Sequence, residues 1–126
     1  MRPAQRSCRV VLRALIVDDN ASFLEAASRL LERQGLTIAG VASSASEGLA
    51  KVQELEPDVV LVDIGLGLES GFDLARRLSD SGSVVVLIST RSEADFGSLM
   101  KSAPAAGFVP KSELSAAAIR RLVSEP

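Results

Sequence analysis

DVVLVDIGLGLESG, residues 58–71, is the stretch around which the rest of the chain is arranged. Its first half is an apolar run rich in β-branched residues, Val59, Val60, Leu61 and Val62, the pattern of a strand buried on both faces of a parallel sheet. Asp63 ends that run. Open α/β sheets bind their ligands at the carboxyl ends of the strands, and the glycines that follow, Gly65, Gly67 and Gly71, let backbone come close to a bound group. Taken alone, an acid that opens a loop is equally well explained as turn chemistry. What decides between the two is what the other strands bring to the same edge.

Working outward, strands and helices alternate. On the amino-terminal side, LRALIVDD (residues 12–19) reads as a buried strand ending in Asp18 and Asp19. Ser22 and Glu25 then have the S-x-x-E spacing of a capping box, and Phe23, Ala27, Leu30 and Leu31 share one helical face up to Gly35. Residues 36–42 form a second strand. A second box, Ser44 with Glu47, opens a helix with Ala45, Gly48, Leu49 and Val52 inward, and Pro57 stops it.

On the carboxyl-terminal side, Ser70 and Asp73 resemble a cap for a helix carrying Leu74, Ala75 and Leu78, with Gly82 ending it. Residues 84–89 are a continuously apolar fourth strand. Ser92 begins a helix with Phe96, Leu99, Met100 and Ala103 at i, i+3, i+4, i+7 spacing, broken at Pro104. A short fifth strand, residues 107–109, leads to Pro110 and Lys111, and a last helix covers roughly residues 113–123. The pattern is (βα)5, and each crossover is long enough for a parallel connection. Right-handed βαβ units of this kind build a doubly wound, five-stranded parallel sheet with helices on both faces.

Composition narrows the chemistry. The 126 residues are one domain of ordinary size, and 47% hydrophobic residues with a positive mean hydropathy make it globular. Four Phe with no Trp or Tyr leave little for stacking on bases, and a net charge of -2 argues against a general nucleic-acid binder. A single cysteine, Cys8, excludes an internal disulfide and a cysteine metal cluster. The absence of histidine removes the Ser-His-Asp triad, histidine acid–base chemistry and the usual zinc sites. Carboxylates, hydroxyls, Lys, Arg and a hard metal are what remain. Residues 1–11 carry Arg2, Arg6 and Arg9 without an acid and lack the apolar core of a secretory signal. They read as a flexible basic tail, residues 12–126 as the domain, and the location as cytoplasmic, with no membrane span.

The strand ends can now be collected: Asp18 and Asp19 after the first strand, Asp63 after the third, Ser89 and Thr90 after the fourth, Lys111 after the fifth. In a parallel sheet all of them share one edge. Carboxylates a few Å apart repel by about 4 kcal/mol per closest pair at an effective dielectric of 20, so the cluster calls for a cation. An all-oxygen set selects a hard ion, and Mg²⁺ is the first choice. Asp63, nearest the middle of the sheet, is placed to attack a phosphoryl group and form an acyl phosphate. The metal and Lys111 would offset the charge on the transferring oxygens, and the Ser89 hydroxyl would donate to one of them. Each residue has an ordinary explanation of its own: a helix-start acid pair, a strand-end hydroxyl, a solvated loop lysine. Their joint placement favours the functional one.

These motifs together resemble the receiver domain of bacterial two-component response regulators over residues 12–123. The acidic pair matches Asp18 and Asp19 in LIVDDN, the phospho-accepting aspartate Asp63, the Ser/Thr Ser89 in VVLIST, the switch aromatic Phe108, and the lysine Lys111 in GFVPKSEL. ESGFDLARRL and GFVPKSEL are most similar to receivers that precede helix-turn-helix DNA-binding domains. The resemblance implies a flavodoxin-like three-layer sandwich. It also implies that Asp63 takes phosphate from the phosphohistidine of a sensor histidine kinase, and that Mg²⁺ is held by Asp18, Asp19, Asp63 and the backbone carbonyl of Gly65. The protein would then be a signalling switch that catalyses only its own phosphotransfer and dephosphorylation. Its output would be an unknown protein or a homodimer, met through the 92–103 helix, the fifth strand and the last helix, with no direct nucleic-acid contact.

Several positions depart from the family pattern. Gly67 stands where proline is usual, which loosens the loop through unfolded-state entropy. Thr90 replaces Ala or Gly and narrows access to the phosphoryl group. Ser112 follows Lys111 where many receivers have proline with a cis bond, so a trans bond is expected here. Arg91, two residues past Ser89, is long enough to reach over the site and modulate phosphoryl lifetime. A haloacid-type hydrolase would need a second aspartate where Gly65 stands. A phosphate-independent pseudo-receiver, acting in docking or dimerisation, would be expected to have lost Asp18, Asp19, Asp63 or Lys111, and it has lost none.

Overall fold

The structure, a computed structural model, describes residues 12–66, 69–90 and 104–124. Its centre is the run quoted above. Val59–Asp63 forms β3, with all five residues buried. It pairs in parallel with β1 (Arg13–Val17) on one side and β6 (Val84–Ser89) on the other; β2 (Thr37–Ala42) flanks β1 and β7 (Gly107–Pro110) flanks β6. The sheet order is β2-β1-β3-β6-β7, so the chain reverses direction of travel beside β1 and β3. That is the switch point where such sheets open a crevice at their carboxyl ends.

Because β1, β3 and β6 are covered on both faces, alternate residues feed two cores. Leu15, Val17, Val60, Val62, Val85 and Leu87 face one helix layer, with Ala45 and Val52 of α2 (Ala45–Leu55) and Phe72 and Leu74 of α3 (Gly71–Arg77). Ala14, Ile16, Val59, Leu61, Val86 and Ile88 face the other, with Leu24, Ala27 and Leu31 of α1 (Ala21–Arg33) and Ile119 of α4 (Ala116–Ser124). Burying each such aliphatic side chain stabilises the fold by about 1.5–3 kcal/mol. The result is the expected doubly wound three-layer sandwich.

The helix boundaries differ from those the sequence predicts. Asn20, not Ser22, caps α1: its backbone is extended and its Oδ1 accepts from Phe23 N at 3.0 Å. Ser22 is already inside the first turn, and Glu25 pairs with Arg29 instead of reaching back to a cap. Residue 36 lies in the turn that closes α1 and is not part of β2. Gly35, at φ 98°, and Leu36 return hydrogen bonds to Glu32 O and Leu31 O, the Schellman closure. The second box forms with a shift: Ser44 Oγ accepts from Glu47 N, while the Glu47 carboxylate accepts from Ser43 N and Ser43 Oγ. Those bonds hold the Glu47 carboxyl below its ordinary range.

In α3, Ser70 Oγ accepts from Phe72 N, whereas Asp73 is paired with Arg76. The helix closes at Leu78, well before Gly82. Gly65–Leu66 and Glu69–Ser70 form a small antiparallel pair, β4 and β5, that periodicity does not announce. The fifth strand runs one residue further than expected, to Pro110. A 3-10 turn at Lys111–Glu113 and an extended Leu114 delay the last helix to Ala116. The expected helix of residues 92–103, with Phe96, Leu99, Met100 and Ala103, lies outside the described residues, as do Gly67 and the basic tail of residues 1–11 with Cys8.

Candidate functional site

Four strands deliver the site. β1 runs straight into Asp18, wholly buried, and Asp19, which is exposed. β3 ends in Asp63, 7% exposed, opposite Ile88 of β6. Ser89, buried, closes β6 opposite Pro110, and Lys111 is the next residue after β7. Parallel register therefore brings to one edge residues up to 93 positions apart in the sequence.

Lys111 Nζ lies 2.6 Å from Asp18 Oδ2 and 3.7 Å from Asp63 Oδ2. Asp18 Oδ1 accepts from Asn20 N at 2.9 Å. Oδ2, in contrast, makes the close ionic contact with Lys111 without the geometry of a hydrogen bond. It is a buried acceptor with capacity to spare. Asp18, Asp19 and Asp63 each offer a carboxylate oxygen, and these lie within 4.8 Å of one another. Three carboxylates, one with a buried oxygen that makes no hydrogen bond and none accompanied by His or Cys, fit a hard divalent cation. The acidic cluster is thus able to bind a metal.

Electrostatics single out Asp63. Burial is the largest influence and raises its pKa to about 6; repulsion from Asp18 adds to the rise, Lys111 and the Gly65 backbone N–H oppose it, and Asp19 adds a little more. Lys111 compensates only part of the cost because it sits closer to Asp18.

The loop after β3 is shaped by two glycines. Gly65 is exposed, with open space where a side chain would project. Gly71 is the opposite case: a Cβ there would run into the Asp63 carbonyl oxygen and come within 2.7 Å of Ile64 Cα. Its N–H donates to Ile64 O at 2.8 Å, so the start of α3 is seated on the backbone of Asp63 itself. Thr90 is exposed at the end of β6, and Arg91 lies outside the described residues. Phe108 is half-buried and packs against the core shared with α2 and α3. No cis peptide bond occurs among the described residues, and Lys111–Ser112 is trans as expected.

Two participants escaped sequence reasoning. Asn20, directly after the acidic pair, both caps α1 and donates its N–H to Asp18; the Asx cap signal was available there. Phe23, read as core, also presents its ring to the Lys111 ammonium. Nothing in the helical pattern marks that contact.

Comparison with known proteins agrees with this geometry. The family model of the response regulator receiver domain matches residues 14–123. The chain is 35% identical over 104 residues to the response regulator GacA of Pseudomonas viridiflava, covering 80% of this chain and 49% of that protein. It is 41% identical over 86 residues to protein-glutamate methylesterase/protein-glutamine glutaminase 6 of Anaeromyxobacter dehalogenans (strain 2CP-C), covering 67% of this chain and 25% of that protein. The chain spans half or less of the length of these curated relatives. Among solved structures, a LuxR-family two-component response regulator from Aurantimonas sp. SI85-9A1 superposes with a TM-score of 0.81 at 26% identity, covering 90% of this chain and 86% of that one. By its fold, by the acidic edge of its sheet and by these matches, the chain belongs to the response regulator receiver domain family.

Proposed function

We propose that the chain is the phospho-accepting receiver of a two-component phosphorelay, with Asp63 as the acceptor and Mg²⁺ as the cofactor. The observation that carries this reading is the convergence of Asp63, Asp18, Asp19 and Lys111 at one strand edge, with Lys111 Nζ between two buried carboxylates. An Asp63 carboxylate oxygen attacks phosphorus of a phosphohistidine on a sensor histidine kinase. The new O–P bond forms as the N–P bond breaks, and the imidazole leaves. Lys111 meets the transferred oxygens as a point charge, and Ser89, at the end of the adjacent strand, donates its hydroxyl to one of them. Mg²⁺, held by Asp18, Asp19, Asp63 and the Gly65 carbonyl, would supply the remaining neutralisation. Thr90 narrows the approach and Arg91 modulates the lifetime of the acyl phosphate.

The domain works as a switch and not as an enzyme acting on a separate substrate, in the cytoplasm. Among the described residues no helix is long and apolar enough to cross a membrane. Its output face is formed by β7 and α4, with residues 92–103, which lie outside the described residues, expected to join it, and is met by a partner protein or a second copy. A groove of about 190 Å³ between β7 and α4, lined by Phe108, Pro110, Glu113, Ala118, Arg121 and Leu122, supports that choice. Mass spectrometry tests the central claim. Acetyl phosphate with Mg²⁺ should add one phosphate to the wild type and none to Asp63→Asn. Full modification of Asp63→Asn would overturn it.

A further inference from the structure

Lys111 has a neighbour that phosphoryl binding does not require. Its ammonium lies 4.3 Å from the centroid of the Phe23 ring, while the same nitrogen is 2.6 Å from Asp18 Oδ2 and 3.7 Å from Asp63 Oδ2. Phe23 stands in the first turn of α1 with its N–H bound to Asn20 Oδ1, and Asn20 N–H is bound to Asp18 Oδ1. The four residues close a circuit, from Asp18 to Asn20 to Phe23 to Lys111 and back to Asp18. We propose that Phe23 is a positioning residue for Lys111, the face of its ring holding the ammonium within reach of both Asp18 and Asp63.

The physical case rests on what an aromatic face does that other side chains do not. Lysine carries its charge on a flexible four-carbon stem, and here the side chain is only 13% exposed, so most of its hydration is gone. A third carboxylate would replace that water but would also neutralise the charge and retain it. An aromatic quadrupole attracts the cation without neutralising it and without a fixed hydrogen-bond direction. A divalent cation held by Asp18, Asp19 and Asp63 would compete with Lys111 for the Asp18 carboxylate. The ring keeps the ammonium in the site while it exchanges that partner for groups on the Asp63 side. The same Phe23 packs against the α1–α4 core, so its position is set by the fold and not by the lysine.

The contact itself is independent of phosphorylation, whereas its consequence rests on Asp63 being the phosphoacceptor. In the full chain with ¹³C-labelled lysine, NMR should place the Lys111 Cε protons upfield of those of Lys51 because of the Phe23 ring current. Phe23→Leu, which keeps apolar bulk, should remove the displacement, and Phe23→Trp should restore it. Phosphorylation by acetyl phosphate should slow about three- to tenfold in Phe23→Leu and recover in Phe23→Trp. An undisplaced Lys111 signal in the wild type overturns the proposal. So does a displacement lost in Phe23→Leu with the phosphorylation rate unchanged. If the wild type takes no phosphate, the acceptor reading fails, and the Lys111 signal alone upholds or overturns the contact. Should Phe23→Leu not fold, Phe23→Met provides the same comparison.

Discussion

At Asp63 burial of the carboxyl costs stability in the metal-free protein. Its pKa, raised by burial first and Asp18 second, is about 6 instead of 3.8, so the folded state binds the proton more tightly than the unfolded chain. A raised carboxyl contributes stability that is complete below the unfolded pKa and lost as pH rises through the folded one. The metal-free protein should therefore lose up to about 3 kcal/mol between pH 4 and pH 7 from this group. Urea unfolding in EDTA checks it: the advantage of Asp63→Asn over wild type should grow with pH across that window, and a flat difference would contradict it. Asp19 separates metal binding from fold. It is exposed and lacks the Lys111 and Asn20 contacts that Asp18 makes. Asp19→Asn should weaken Mg²⁺ binding at least about tenfold, roughly 1.4 kcal/mol, while leaving metal-free stability equal or higher. Calorimetric titration with unchanged affinity would reduce Asp18 and Asp19 to a helix-start acid pair.

At the level of elements, the loop from β3 to α3 depends on one missing Cβ. Gly71 lies so close to the Asp63 carbonyl that any side chain must displace the loop or the start of α3. Gly71→Ala should cost about 1–3 kcal/mol, the range for overpacking, and lower the rate of phosphorylation because Asp63 moves with its backbone. Denaturant midpoints and acetyl phosphate kinetics measure the two effects. Gly65, six residues earlier, has open space around it, so Gly65→Ala should leave the midpoint nearly unchanged. The contrast could not be read from two glycines in one glycine-rich loop. It depends on which of them faces the returning chain.

For the molecule as a whole, the question is how charge added at one edge is felt on a lateral face. Phosphorylation at Asp63, as proposed, would add roughly one further negative charge and strong acceptor oxygens there. Drawing Ser89 toward them would loosen the packing behind β6, next to Phe108 on β7. Phe108 is half-buried against the core and also lines the groove beside α4, so its movement would change an exposed surface. Beryllofluoride with Mg²⁺ should therefore shift amide signals in β7 and α4 as well as around Asp63. Shifts confined to the Asp63 loop would leave Phe108 as static packing.

The alternation of five parallel strands with helices, the two-sided burial of β1, β3 and β6, and the gathering of Asp18, Asp63, Ser89 and Lys111 at one edge were legible in the sequence. A buried parallel strand announces itself as an unbroken apolar run, and parallel connection forces every strand end to the same side. Helix starts were legible only to within a few residues. Cap choice at Asn20 over Ser22 depends on the angle at which β1 releases the chain, and the 3-10 turn after Lys111 depends on how β7 meets α4. Which of the three acids holds Lys111 most closely, why Gly71 tolerates nothing larger and why Phe23 faces the ammonium are settled only in three dimensions. Pattern reports which face of an element is apolar. The distance between a side chain on one element and a charge arriving from another is set by packing.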